Sequence, residues 1–91
     1  MSLCLIGRIQ GRVQGVGFRY HTEIKANELG INGWVSNRPD GSVEVCICGS
    51  TEQLEQMQLW LKQGPASAHV DQSDFSTGHL PENCNDFHIR Y

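Results

Sequence analysis

Apolar residues recur at two different periods along the chain, and the change from one to the other marks its elements. Leu3, Leu5, Gly7 and Ile9 alternate with Cys4, Ile6, Arg8 and Gln10, the period-two pattern of a strand with one greasier face. A glycine-rich stretch from Gly11 to Arg19 follows. From about residue 19 to 29 the period lengthens. Phe18, Thr22, Ala26 and Leu29 then share one helical face, and Gly30 stands where a C-terminal glycine cap belongs. Ile31 to Asn37 reads as a second strand. Arg38-Pro39-Asp40-Gly41 predicts a type I turn closed by a glycine bulge. A third strand runs from Ser42 to Cys48, with Val43, Val45 and Ile47 on one face and Glu44, Cys46 and Cys48 on the other.

Ser50-Thr51-Glu52-Gln53 is a capping box. The helix behind it runs to about Gln63, turns Leu54, Met57, Trp60 and Leu61 inward, and stops at Gly64-Pro65. Residues 65–85 show weak periodicity, with room for an irregular or edge strand around Val70–Phe75. Asp86 to Tyr91 predicts a last strand carrying Phe87, Ile89 and Tyr91 on one face. The order β-α-β-β-α-β over a single domain, residues 1–91, predicts an α+β, ferredoxin-like sandwich: a four-stranded antiparallel sheet with two helices on one face. That arrangement hosts many functions and decides none.

Composition narrows the field. The 91 residues carry a net charge of −3, too acidic for a polyanion binder, which needs a dense basic footprint. No nucleic-acid partner is expected. An RNA-binding use of the sheet would also need aromatics on its helix-free face, where Cys4, Ile6, Arg8, Glu44, Cys46 and Cys48 fall instead. The charge is uneven: residues 1–39 hold five Lys/Arg against two carboxylates, and residues 40–91 hold two against eight. The first part can therefore hold a small anion. No apolar run approaches the roughly 20 residues that span a bilayer. The opening Met1-Ser2-Leu3-Cys4-Leu5-Ile6 has no basic n-region. A cytoplasmic protein with no membrane partner is the expectation. Four cysteines without a Cys-x-x-Cys, and four scattered histidines, predict no metal site.

Chemistry concentrates between Gly11 and Arg19. Three glycines within seven residues allow positive φ, so that successive N–H groups can face one concavity and hold an anion, aided by the positive end of the following helix. Arg19, at the loop–helix boundary, offers a planar fork that fits two phosphate oxygens. On spacing alone, a tight turn is a commoner use of such glycines than a phosphate site, and Asn37 before its turn is more often a turn-former than a reactive group. The stretch is neither a Walker loop nor a dinucleotide fingerprint.

Gly11-Arg12-Val13-Gln14-Gly15-Val16-Gly17-Phe18-Arg19 resembles the first acylphosphatase signature, and Gly33-Trp34-Val35-Ser36-Asn37-Arg38-Pro39-Asp40-Gly41-Ser42-Val43-Glu44 resembles the second. The resemblance extends over the whole chain, through Phe87-His88-Ile89-Arg90-Tyr91. It implies a small ferredoxin-like enzyme that hydrolyses acyl phosphates without metal or cofactor. It further implies that Arg19 binds phosphate and that Asn37 orients the attacking water. The backbone N–H groups of Gln14, Gly15, Val16, Gly17 and Phe18 would complete the phosphate cradle. The implied partners are a small-molecule acyl phosphate, and inorganic phosphate as product and competitive inhibitor. The alternative is a non-catalytic module that binds phosphate or an acyl phosphate, and turnover separates the two. A monomer is expected.

Cys4 and Cys48 fall on neighbouring central strands in the ferredoxin-like order and on the same helix-free face. A Cys4–Cys48 disulfide is therefore geometrically open, with Cys46 the competing partner and a reducing cytosol weighing against it. Trp60 reads as a packing residue, Trp34 as packing or a rim residue of the site, and His21 as a solvated helix residue.

Overall fold

The computed structural model describes residues 3–78 and 85–91. Its elements are β1 (Leu3–Arg12), α1 (Phe18–Leu29), β2 (Asn32–Asn37), β3 (Val43–Gly49), α2 (Thr51–Gln63), β4 (His69–Thr77) and β5 (Phe87–Arg90). The strands form one sheet in the order β4-β1-β3-β2-β5. β1 lies antiparallel to both β3 and β4, β2 is antiparallel to β3, and β2 pairs with β5 in parallel.

The expected ferredoxin-like arrangement of β1, α1, β2, β3 and α2 is present, in a sheet that is five-stranded and mixed rather than four-stranded and antiparallel. β4 occupies the edge beside β1, and β5 adds a parallel edge beside β2. In β4 only Val70, Ser73 and Phe75 are half-buried while the other positions face water. A strand so placed carries little hydrophobic alternation, which accounts for the weak signal over residues 69–77; residues 79–84 of the weakly patterned stretch lie outside the described residues.

The core lies between the sheet and the two helices. Ile9, Val35, Val43, Val45 and Ile47 project from the strands with no solvent exposure, against Phe18 and Ala26 of α1 and Leu54, Met57 and Leu61 of α2. Each fully buried aliphatic side chain of this size contributes about 1.5–3 kcal/mol. Thr22, also fully buried, places its hydroxyl by donating to the Phe18 carbonyl at 2.7 Å.

The helix ends follow the sequence. Gly30 takes the left-handed conformation at φ 77° after α1. At the start of α2 the Ser50 hydroxyl accepts the Gln53 N–H at 3.2 Å, and Gln53 Oε1 accepts the Ser50 N–H at 2.8 Å. Gln53 Nε2 also donates to the Leu29 carbonyl at 2.8 Å, tying the start of α2 to the end of α1.

The helix-free face has its own small apolar cluster. Trp34, Cys46 and Cys48 are buried there, with Cys4 and Ile6 packed beside them. The Arg90 guanidinium covers the Trp34 ring at 4.6 Å. Cys4 lies opposite Cys48 in the β1–β3 register with Cα atoms 4.1 Å apart, and the two sulfurs are bonded. Cys46 lies buried outside that bond. A cross-link over a separation of 44 residues is worth about 2–4 kcal/mol. It joins the two strands whose other ends lead into the loops described next.

Candidate active site

β1 runs out at Arg12 and α1 begins at Phe18, so five residues must turn the chain from sheet to helix. Gly15 and Gly17 make the turn with φ of 74° and 76°. A Cβ at Gly15 would meet nothing within 4 Å, so glycine is required there by conformation and not by space. Left-handed residues at alternating positions turn successive N–H groups toward one side, the geometry of an anion nest. Among the described residues, none of the N–H groups from Gln14 to Phe18 donates to a protein acceptor.

The contrast between the two helices sharpens this. α2 has a full side-chain cap, whereas α1 begins at a left-handed Gly17 with no side chain on its first N–H groups. The positive end of α1 is thus left for something outside the helix. Phe18 anchors it: its ring is 1% exposed and lies 5.9 Å from Trp60. The loop is held from the other side as well, where the Ser67 hydroxyl donates to the Val16 carbonyl at 2.7 Å.

Arg19 and Asn37 line the same cavity, of about 230 Å³, together with Val13, Gly15, Gly17, Phe18, Tyr20, Ile89 and Tyr91. The Arg19 guanidinium lies over the Tyr91 ring at 5.0 Å, and among the described residues no carboxylate pairs with it. Arg8 and Arg38 are otherwise engaged, Arg8 with Asp40 at 3.6 Å and Arg38 with Glu44 at 3.4 Å. Arg19 therefore keeps its full charge for the cavity.

Asn37 ends β2, paired with Val43 across the hairpin. Its Oδ1 is buried and has no hydrogen-bond partner. Leaving such an acceptor unpaired costs about 1–3 kcal/mol, so it calls for an explanation. The hairpin itself is tightly made. Arg38 N–H donates to the Ser42 carbonyl at 2.8 Å and Gly41 N–H to the Arg38 carbonyl at 3.1 Å. Asp40 Oδ1 accepts the Ser42 hydroxyl at 2.6 Å and the Ser42 N–H at 2.9 Å. Those two bonds, with Arg8 and Arg38 nearby, hold the Asp40 carboxyl below its usual range.

Of the sequence-derived set, Arg19, Asn37, Gly15, Gly17 and Phe18 line one cavity, whereas Gln14 and Val16 do not line it. Trp34 does not line it and packs on the opposite face of the sheet. Ile89 and Tyr91 do line it, though no motif marks them. They arrive through the parallel pairing of β5 with β2, which sets Val35 beside Ile89. Among the described residues, no three His, Cys, Asp or Glu side chains form a metal-ligand set, and no helix is long and apolar enough to cross a membrane.

Comparison with known proteins identifies the family. The acylphosphatase family model matches residues 5–89. An acylphosphatase from Coxiella burnetii is 35% identical, covering 98% of this chain and 93% of its own, with a TM-score of 0.91. The acylphosphatase from Bacillus subtilis is 33% identical over the full length of both chains, also with a TM-score of 0.91. HypF from T. kodakarensis is 27% identical over all of this chain but only 12% of its own, with a TM-score of 0.84. With a family match over nearly the whole sequence and full-length structural agreement, the chain belongs to the acylphosphatase family, enzymes that hydrolyse acyl phosphates.

Proposed function

We propose that hydrolysis proceeds without a metal ion, with Arg19 and the N–H groups of Gln14 to Phe18 holding the phosphate and Asn37 orienting the water. An acyl phosphate already carries a good leaving group, so no covalent nucleophile is required. Holding a dianion, placing a water in line and stabilising charge on the equatorial oxygens are sufficient. The water oxygen forms a bond to phosphorus while the bond from phosphorus to the bridging oxygen breaks. The carboxylate leaves with that electron pair, and a phosphate oxygen takes the water's proton. The carboxamide of Asn37 supplies a donor and an acceptor and does not titrate.

The observation that supports this most is the meeting, on one cavity, of a guanidinium without a carboxylate partner, a run of unshared N–H groups and the buried, unpartnered Oδ1 of Asn37. A reacting water would satisfy that acceptor. The apolar walls from Val13, Phe18 and Ile89 leave the acyl group loosely specified. The same reading makes the protein a cytoplasmic monomer, a placement against which the Cys4–Cys48 bond weighs.

The test is hydrolysis of a simple aryl acyl phosphate with a strong chelator present. Turnover is expected at an undiminished rate, with inorganic phosphate a competitive inhibitor. A rate abolished by the chelator and restored by a divalent ion would refute the metal-free reading.

A further inference from the structure

The side chain of Gln14 does something its backbone does not. Its Nε2 donates to the Arg38 carbonyl at 2.8 Å and to the Ser42 carbonyl at 2.8 Å. These acceptors lie 24 and 28 residues away, in the turn of the β2–β3 hairpin. Both N–H groups of the carboxamide are thereby committed to a second loop. Arg38 directly follows Asn37, and Ser42 directly precedes Val43, its strand partner. Ser42 is 4% exposed, so the bond to its carbonyl is partly shielded, while the bond to the Arg38 carbonyl is open to solvent.

We propose that Gln14 is a positioning residue, whose side chain fixes the distance between the phosphate loop and Asn37. This rests on the assignment of Asn37 as the group that orients water. The physical argument is one of stiffness. Arg19 rides on α1 and Asn37 on the hairpin, whose turn is internally well bonded. The two carbonyl bonds from Gln14 join those bodies directly beside the reacting position. Rate depends steeply on such registration, since a displacement of about 1 Å can cost about 10²-fold. Phosphate binding depends on it far less, because the cradle and Arg19 belong to the loop and α1, which Phe18 and Ser67 hold independently.

Gln14→Met keeps the length of the side chain and removes both donors. It is expected to lower kcat for an aryl acyl phosphate by about 10- to 100-fold. The inhibition constant of inorganic phosphate should move less than about threefold, because the dianion's own donors remain. Gln14→Glu adds a signature of its own. Ionised, it presents oxygens to two carbonyls; protonated, it offers one donor again. Its kcat should therefore rise as pH falls through the carboxyl range, relative to wild type.

In an Asn37→Ala background, Gln14→Met should lower the residual rate less than about twofold, since residues acting as a unit are non-additive. Wild-type kcat in Gln14→Met would overturn the proposal. So would an equal loss of kcat and phosphate affinity, or a full further loss in the Asn37→Ala background. If Asn37→Ala itself turned over normally, the water assignment would fall first and this inference with it.

Discussion

Arg19→Ala is expected to lower turnover of an aryl acyl phosphate by about 10²–10³-fold or more, equivalent to about 2.7–4 kcal/mol of transition-state stabilisation. The chain should remain folded. The guanidinium makes no ion pair with a carboxylate among the described residues, and it lies over the exposed ring of Tyr91. Little stability is therefore lost with it. What is lost is, among the described residues, the only arginine on the cavity and with it a planar pair of donors. Phosphate affinity should fall together with kcat, because the dianion is held in both ground and transition states. Arg19→Lys should recover only part of the activity, since an ammonium supplies charge without the fork. Steady-state kinetics beside thermal unfolding measures both quantities. Near-wild-type kcat/KM in a folded Arg19→Ala protein would remove Arg19 from the mechanism.

Asn37→Ala separates the two halves of the site. A loss of about 10²–10³-fold in kcat is expected, yet inorganic phosphate should inhibit nearly as well as before, because the donors proposed for it are Arg19 and the loop amides. Stability should stay level or rise. The substitution deletes a buried acceptor that no protein group satisfies, and such an atom costs about 1–3 kcal/mol when unpaired. A residue kept at a cost to the fold and needed for rate is what a reactive site predicts. Kinetics, phosphate inhibition and melting temperature on one preparation test all three. Unchanged kcat, or a collapse of phosphate affinity, would contradict the assignment.

Much of this arrangement is legible in local sequence because local rules made it. The alternation of Val43, Val45 and Ile47 becomes a fully buried strand face, and Ser50 and Gln53 form their reciprocal cap. Gly41 takes φ 93° in the predicted turn. The convergence of Arg19 with Asn37 follows once β1 and β2 flank β3 in the sheet. What escapes local reading is whatever depends on distant pairing. β4 is an edge strand whose exposed positions carry no alternation. β5 joins β2 in parallel from the far edge of the sheet, and no turn residue announces such a partner. That pairing brings Ile89 and Tyr91 to the cavity, and Tyr91 to the Arg19 side chain. The brace from Gln14 escapes for a similar reason. The glycine-rich motif places its backbone, but the carbonyls it reaches are 24 and 28 residues on.

The central claim is that this cavity delivers water to phosphorus and not to the acyl carbon. Hydrolysis in oxygen-18 water, with the products analysed by mass spectrometry, tests it directly. Attack at phosphorus, with the carboxylate leaving intact, predicts the label in inorganic phosphate and none in the carboxylic acid. Label in the carboxylate would mean that water attacks the carbonyl, and the roles given to Arg19, Asn37 and the loop amides would then be wrong.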